Sequence, residues 1–379
     1  MKKKILLIPL AVLLAISLVA IGCPAEEAPP EAPPEAPPEA PPEAPPEAPP
    51  EGPIKLIVAN WTPTQMPPEG GGWDPFDYAL NFWMDTIEEE SNGRVVFERY
   101  PESTLLDMLG MWEGIKEGVA DIGIVNVCAY PGVFPMTGAL RLPGFFENAV
   151  QSAMVRQKIF EEGYLAQDWA EVKVLWHATN EPWSVSCRTK QIKTLEDLQG
   201  LKVCNVGEPE LSFIEALGGV PVAMPATDFF LALERGTVDA AWQDTNGQVL
   251  FGLSQEAPYI TEIPFNGTAD MPTVMNLDKY NSLPPDIKAI FDKNMGMFYS
   301  VSNGMRFLYN HAACVDYLNA REGIPPVYVL PPEEQARWFA AAEPLVEAAA
   351  ADLEAQGLPA REMFARAHEL QELYSGLGY

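Results

Sequence analysis

Polar and aromatic side chains stand at the ends of several predicted strands, which is where ligand clefts open in α/β proteins. Trp61 follows the first strand of the body and Asn126 ends the third. Trp183 precedes a later strand, and Trp242 with Gln243 ends another. An indole offers an apolar face that also attracts cations, and an amide both donates and accepts hydrogen bonds. These residues suit binding of a small organic molecule; core packing or turn formation is the structural alternative for each.

The cysteines and histidines have no spacing typical of metal ligation or nucleophilic catalysis. Cys128, Cys187, Cys204 and Cys314 are far apart without a CxxC pair, and the three histidines are isolated without an HExxH motif. We therefore predict no catalytic residue, no metal and no cofactor, and we expect a protein that is not an enzyme. A disulfide such as Cys187–Cys204 stays open, because sequence does not fix connectivity.

The charge balance excludes one class of partner. The chain has 379 residues and a formal net charge of −29. Nucleic-acid binding needs a basic surface, so we predict no nucleic-acid partner. The hydrophobic fraction of 47% is ordinary for a protein with a real core.

The N-terminal segment, residues 1–22, has the layout of a secretory signal peptide: three lysines, then an apolar run from Ile5 to Ile21. A single transmembrane helix is the alternative, but the run lies at the short limit of about 17 residues and no basic flank follows. Its end, LVAIGC, resembles a bacterial lipobox. That resemblance implies a lipid on Cys23 and an extracytoplasmic, membrane-anchored protein.

A proline-rich segment follows. Within residues 23–53, six tandem EAPP copies begin at Glu27. Proline removes backbone donors and favours polyproline II, so no core can form there. We interpret the segment as a disordered stalk between the lipid on Cys23 and the body; a docking peptide for a proline-binding domain is the alternative.

The body, from residue 54 onward, alternates strand and helix patterns, which predicts parallel strand pairing and an α/β fold. A first α/β unit is predicted over 54–178 (lobe I) and a second over 179–267 (lobe II). Residues 268–379 are predicted to cross between the lobes and to add long C-terminal helices. Two such units predict a cleft between lobes, where ligands preferentially bind.

Seven stretches of the body, in this order and spacing, resemble the substrate-binding proteins of TRAP (tripartite ATP-independent periplasmic) transporters of the C4-dicarboxylate-binding type. They are SNGRVVFERYPESTL, GIKEGVADIGIVN, LRLPGFFENA, QIKTLEDLQGLKV, ALGGVPVAM, LALERGTVDA and NSLPPDIKAIF. The resemblance implies a two-lobed periplasmic-binding-protein-like fold with crossing strands and a hinge cleft. It also implies capture of a small organic solute and its delivery to integral-membrane TRAP permease subunits.

The chain departs from the family at the expected ligand clamp. The strand after GLK normally carries an arginine that holds the ligand carboxylate, and here that position is Cys204. A second arginine position of some members falls at Ser184, and a frequent asparagine falls at Gln243. Asp270, where the family's chain recrosses between lobes, is a further candidate for ligand contact.

Three interpretations of this departure stay open. The solute is neutral, cationic or aromatic; or it is a carboxylate held by another group, such as Arg188, Arg141, a metal ion or neutral donors; or binding has been lost. An exported enzyme or a solute sensor on the same scaffold is the alternative function.

Overall fold

The computed structural model describes residues 52–64, 74–264 and 267–376, which form two mixed α/β lobes. The predicted signal peptide, Cys23 and the EAPP repeats lie outside the described residues. Within the described ranges, no helix has both the length and the apolar character that crossing a bilayer requires.

Each lobe is built on one β-sheet. The strands in chain order are β1 (Ile54–Ala59), β2 (Val95–Tyr100), β3 (Ile122–Ile124), β4 (Val172–Trp176), β5 (Trp183–Cys187), β6 (Lys202–Asn205), β7 (Val220–Ala223), β8 (Ala240–Asp244), β9 (Tyr259–Glu262), β10 (Thr273–Asn276) and β11 (Tyr328–Val329). The sheet of lobe I has the order β2-β1-β3-β10-β4, and that of lobe II the order β11-β9-β5-β8-β6-β7. The chain thus passes from lobe I to lobe II between β4 and β5 and returns between β9 and β10.

The parallel strand pairs explain why the alternation of strand and helix patterns predicted an α/β fold. As predicted, β1 is parallel to β2 and β3, and β6 is parallel to β7 and β8. The strands that follow a crossing run the other way: β10 is antiparallel to β3 and β4, and β5 is antiparallel to β8 and β9. Both sheets are therefore mixed.

Helices cover the sheets and span both lobes. They are α1 (Pro75–Glu90), α2 (Met111–Lys116), α3 (Pro135–Ala139), α4 (Ala149–Glu161), α5 (Leu195–Leu198), α6 (Glu210–Ala216), α7 (Phe229–Glu234), α8 (Thr245–Leu250), α9 (Leu253–Glu256), α10 (Leu277–Ser282), α11 (Pro285–Lys293), α12 (Met297–Asn319), α13 (Pro332–Ala355) and α14 (Ala360–Leu373). The α5 helix begins with a capping box formed by Thr194 and Asp197.

The helices predicted within residues 268–379 include a break between α11 and α12 that the sequence pattern did not predict. At this break Gly296 has φ 79°, a conformation that favours glycine. The Gly296 amide instead donates to the carbonyl of Leu175 in β4, 2.7 Å away. Further along α12, a Cβ on Gly304 would lie 2.8 Å from the Cα of Val150, so the missing side chain lets α12 pack closely against α4.

A buried ionic network fixes the crossing between the lobes. Asp270, on the return crossing, accepts a hydrogen bond from Arg156 Nη1 at 3.0 Å and lies 3.2 Å from His177 Nδ1; all three side chains are fully buried. Burial alone would raise the pKa of Asp270, but the charges of His177 and Arg156 outweigh it and hold that pKa below its usual range. The Asp270 carboxylate is thus the counter-ion of the buried Arg156 guanidinium at the crossing.

We predict that Asp270→Asn lowers the free energy of unfolding by about 3–5 kcal/mol, because Arg156 would keep its buried charge without a counter-ion. Urea unfolding at neutral pH measures the loss. Asp286→Asn is the control, since it breaks an exposed ion pair with Arg94 and should change stability little.

The same network sets a pH dependence. A carboxylate with a depressed folded-state pKa stabilises the fold above its unfolded pKa of about 3.9 and loses that contribution as the pH falls further. Wild-type stability should therefore fall in acid more steeply than that of Asp270→Asn. Equal slopes, or no loss at neutral pH in the variant, would contradict the assigned role.

Candidate functional site

A cavity lies between the two lobes and takes its walls from both. About 710 Å³ of space not filled by atoms lies in it and at its opening to solvent, and the centre of a water-sized sphere can reach about 80 Å³ of that space. Lobe I and α12 supply Trp61, Thr62, Pro63, Asp74, Pro75, Phe76, Met108, Asn126, Cys128 and Phe307; lobe II and the crossings supply Asn180, Trp183, Asn205, Val206, Ala226, Gln243, Asp244, Asn246, Gly247, Leu250, Phe251, Ala269 and Met271. The lining is mainly apolar, with a few amides and two carboxylates.

The wall from lobe I is a fixed aromatic surface. The indole N–H of Trp61 donates to the carbonyl of Ile124 at 3.0 Å, which holds the ring at the end of β3. Phe76 packs edge-to-face on Phe307 with ring centroids 4.9 Å apart. Asp74 is the N-cap of α1: its Oδ1 accepts from the amides of Phe76 and Asp77.

The wall from lobe II is richer in polar groups. Asp244 is the N-cap of α8, and its Oδ2 accepts from Asn180 Nδ2 at 2.8 Å. Asn205 donates to the carbonyl of Trp242 at 2.9 Å. Asn246 is 3% exposed, and within the described part of the chain its Nδ2 finds no hydrogen-bond acceptor. Asn246 thus lines the cavity with a buried amide whose donor is not used within the described residues.

The charge of the lining depends on its two carboxyl groups, Asp74 and Asp244. Among the described lining residues there is no lysine, arginine or histidine, and the undescribed segments 65–73 and 265–266 contain none of these residues in their sequence. Burial raises the pKa of Asp74 to about 7 and also raises that of Asp244. Burial raises the pKa of the Cys128 thiol to about 12, so it stays neutral.

Four of the predicted site residues line this cavity: Trp61, Asn126, Trp183 and Gln243. The structure brings them together from the ends of β1, β3, β5 and β8. Asn126 also shapes its own turn, because its side chain accepts from the amide of Cys128 at 3.0 Å. Asn126 therefore both stabilises its own turn and lines the cavity.

The other four predicted residues do not line the cavity. Ser184 is fully buried, and its hydroxyl donates to the carbonyl of Gln243 at 2.6 Å. Trp242 points to the opposite face of β8 from Gln243 and stacks on Trp338, with centroids 6.3 Å apart. Asp270 belongs to the crossing network described above.

The structure contradicts the prediction that Cys204 lies in the cleft. Successive side chains of a strand point to opposite faces. Asn205 reaches the cavity, whereas Cys204 is fully buried in an apolar cluster with Phe229 and Leu233. Its thiol is free, as are Cys128, Cys187 and Cys314, so the Cys187–Cys204 disulfide is absent from the described residues.

The cavity residues that were not predicted include three polar ones, Asp74, Asp244 and Asn246. Asp74 precedes Pro75, an N-cap followed by an N1 proline, and this signal could have placed it at a helix start beside the first strand. Asp244 follows the predicted Gln243 directly. Asn246 carries no sequence signal, because its position depends on how α8 packs.

Two arginines named as alternative anion clamps do not line the cavity. Arg141 of lobe I lines a neighbouring cavity and forms a buried ion pair with Glu210 of α6 in lobe II; its Nη1 also donates to the carbonyl of Glu208 at 2.6 Å. Both ionic side chains are at most 3% exposed. Arg188 is likewise outside the lining. The Arg141–Glu210 pair instead joins the two lobes behind Cys128.

Comparison with known proteins now gives the family. Residues 73–352 match the model of the bacterial extracellular solute-binding proteins, family 7. The chain belongs to this family. The match confirms the resemblance to TRAP substrate-binding proteins and the two-lobed fold.

Two solved structures and one curated relative illustrate the likeness. A TRAP solute-binding protein from Rhodoferax ferrireducens, in complex with copurified benzoate, has a TM-score of 0.77 at 25% identity, covering 86% of this chain and 100% of that one. One from Bordetella bronchiseptica with bound mandelate has a TM-score of 0.76 at 20% identity, covering 85% and 100%. The 2,3-diketo-L-gulonate-binding periplasmic protein YiaO of Escherichia coli is 23% identical over 212 residues, 55% of this chain. That alignment spans 64% of the relative's length.

We predict that Cys204→Arg does not create a carboxylate site but lowers the free energy of unfolding by about 3–5 kcal/mol, because it buries an unpaired charge among apolar side chains. Cys204→Ala is the control and should lose about 1 kcal/mol. Denaturant titration with and without benzoate is the measurement. A stable Cys204→Arg protein that gains benzoate binding would place position 204 in the cleft after all.

Proposed function

We propose that this family member is an extracytoplasmic solute-binding protein that captures a small organic solute in the interlobe cavity and delivers it to the integral-membrane subunits of a TRAP transporter. The single observation that carries the proposal is the cavity, whose walls come from both lobes at the ends of their strands. Family membership and the ligand complexes of the two related structures support it.

We propose Trp61, Asn126, Trp183 and Gln243 as ligand-contacting residues. We propose that four other predicted residues do not contact the ligand but hold the lining residues in place: Ser184, Trp242, Cys204 and Asp270. Ser184, for example, fixes the backbone of Gln243 through its hydroxyl.

Closure of the lobes around the solute is part of the proposed function. The buried Arg141–Glu210 pair joins lobe I to lobe II, and a pair in this position is broken when the lobes separate. Because an unpaired buried charge is costly, the pair favours the closed arrangement until water reaches both groups. This is hinge closure of the kind that binding proteins use.

Binding without catalysis is the function that the cavity chemistry favours over an exported enzyme. A nucleophilic thiol needs a lowered pKa, whereas that of Cys128, the cysteine at the wall, is raised to about 12. A sensor on the same scaffold would bind the same solute, and association with a permease distinguishes the two.

We also propose that a lipid on Cys23 anchors the protein on the extracytoplasmic side of a membrane, in the periplasm or at the outer face of the cytoplasmic membrane, and that the EAPP segment spaces the body from that membrane. This part rests on the sequence pattern alone.

The solute-binding role predicts thermal stabilisation of the mature chain by one member of a panel of dicarboxylates, keto acids, aromatic acids, amino acids and amines. At 100 times the dissociation constant the gain should be about 2.7 kcal/mol. Trp61→Ala should weaken that ligand about tenfold through the lost ring contact. Phe298→Ala, an exposed ring outside the cavity, is the matched control and should bind normally. If none of the compounds stabilises the protein, the proposal is contradicted.

The anchor predicts a lipid-modified cysteine at residue 23 as the mature N-terminus. Mass spectrometry of the N-terminal peptide and incorporation of labelled fatty acid test it. Cys23→Ala should lose the label, while Cys128→Ala should keep it. An unmodified N-terminus elsewhere in the chain would contradict the anchor.

A further inference from the structure

The charged groups of the cavity differ from what an anionic solute requires. Each lobe contributes one carboxylate, Asp74 from lobe I and Asp244 from lobe II, and the described lining contributes no basic side chain. The buried guanidinium of Arg141, which lines a neighbouring cavity, is already paired with Glu210. A carboxylate solute would therefore enter without a counter-ion and next to two groups of its own charge.

The aromatic walls complete a site of another kind. Trp61 and Phe76 stand on the side of Asp74, and Trp183 and Phe251 on the side of Asp244. Aromatic faces and carboxylates both attract an organic cation, and aromatic faces also take up an apolar ring.

The two carboxylates of the cavity differ in how many of their oxygens accept hydrogen bonds within the protein. Both Asp244 oxygens accept hydrogen bonds, one from Asn180 and one from the amide of Gly247. Asp74 accepts its bonds through Oδ1, and within the described residues its Oδ2 has no partner. Oδ2 of Asp74 is thus the acceptor left for a ligand ammonium group.

We propose, on the basis of the proposed solute-binding function, that this cavity selects a small organic cation with an aromatic body, such as an arylalkylamine, rather than the organic acids bound by the related structures. The cation lies between Asp74 and Asp244, the two carboxyl groups of the lining. Since these carboxylates sit on opposite lobes, binding of the cation also favours closure.

The decisive experiment compares three ligands that share one ring: benzylamine, benzyl alcohol and benzoate. Isothermal titration calorimetry of the mature chain in mild detergent, at pH about 7.5 and low salt, gives the three affinities. Benzylamine should bind at least tenfold more tightly than benzoate, with benzyl alcohol between them. Benzoate binding as tightly as benzylamine overturns the charge selectivity and leaves the solute-binding function standing.

Two further outcomes are informative. Benzyl alcohol binding as tightly as benzylamine overturns the role of the carboxylates. Binding of none of the three also overturns the inference; the broader thermal panel described above then shows whether the solute-binding function survives, because a response there to another compound keeps it.

Charge-removing variants separate recognition from structure. Asparagine is as good an N-cap as aspartate, so Asp74→Asn keeps the start of α1 while removing the charge. It should weaken benzylamine at least tenfold and leave benzyl alcohol unchanged. Asp168→Asn is the matched control: this buried carboxyl accepts from the amide of Thr137 and lies outside the cavity, so benzylamine should bind normally.

The pH dependence gives an independent readout. A bound cation favours ionised Asp74, so benzylamine, protonated throughout, should bind more tightly as the pH rises through about 7. Among the described residues, Asp77 on the same helix acts electrostatically on Asp74. Asp244 lies across the cavity and interacts in turn with Glu181 and His311, and Cys128 stays neutral in this range. The rise should vanish in Asp74→Asn; a fall of affinity with rising pH would overturn the inference.

Discussion

The need to pair every buried charge governs the junction between the two lobes. In the described part of the chain, two guanidinium groups are buried there, and each already holds a carboxylate: Arg156 with Asp270 and Arg141 with Glu210. Removing a buried ion from water costs several kcal/mol unless a partner and hydrogen bonds compensate. The first pair fixes the crossing segments, and the second joins the lobes. Neither leaves a positive charge for a solute.

This constraint determines which solutes the cavity can accept. At an effective dielectric constant of about 20, two like charges about 5 Å apart repel by about 3 kcal/mol, which is about two orders of magnitude in affinity. An anion between ionised Asp74 and Asp244 is repelled from both sides, whereas a cation in the same place is attracted by both carboxylates. The same fold can hence serve solutes of opposite charge when the charged groups at its cleft change.

How far the sequence predicts the structure depends on the range of the interactions involved. The parallel strands β1, β2 and β3, the capping box at Thr194 and the C-terminal helices follow local patterns and were predictable. The break at Gly296 was not, since it exists because the Gly296 amide bonds to β4, far away in the chain.

The same reasoning explains the mixed outcome at the site. Trp61, Asn126, Trp183 and Gln243 reach the cavity because strand ends converge there, which topology alone dictates. Cys204 and Trp242 sit one residue before a cavity residue on the same strand and point the other way, so a shift of one position reverses the side-chain direction. Asn246 and the Arg141–Glu210 pair depend on how separate elements pack, and no local pattern records that.

A crystal structure of the mature protein with its tightest-binding solute tests the central claim most directly. The account predicts that the solute lies between Asp74 and Asp244, that no anionic group of the solute contacts a guanidinium, and that Arg141 stays on Glu210. A solute carboxylate bound to Arg141, with Glu210 displaced, would contradict it.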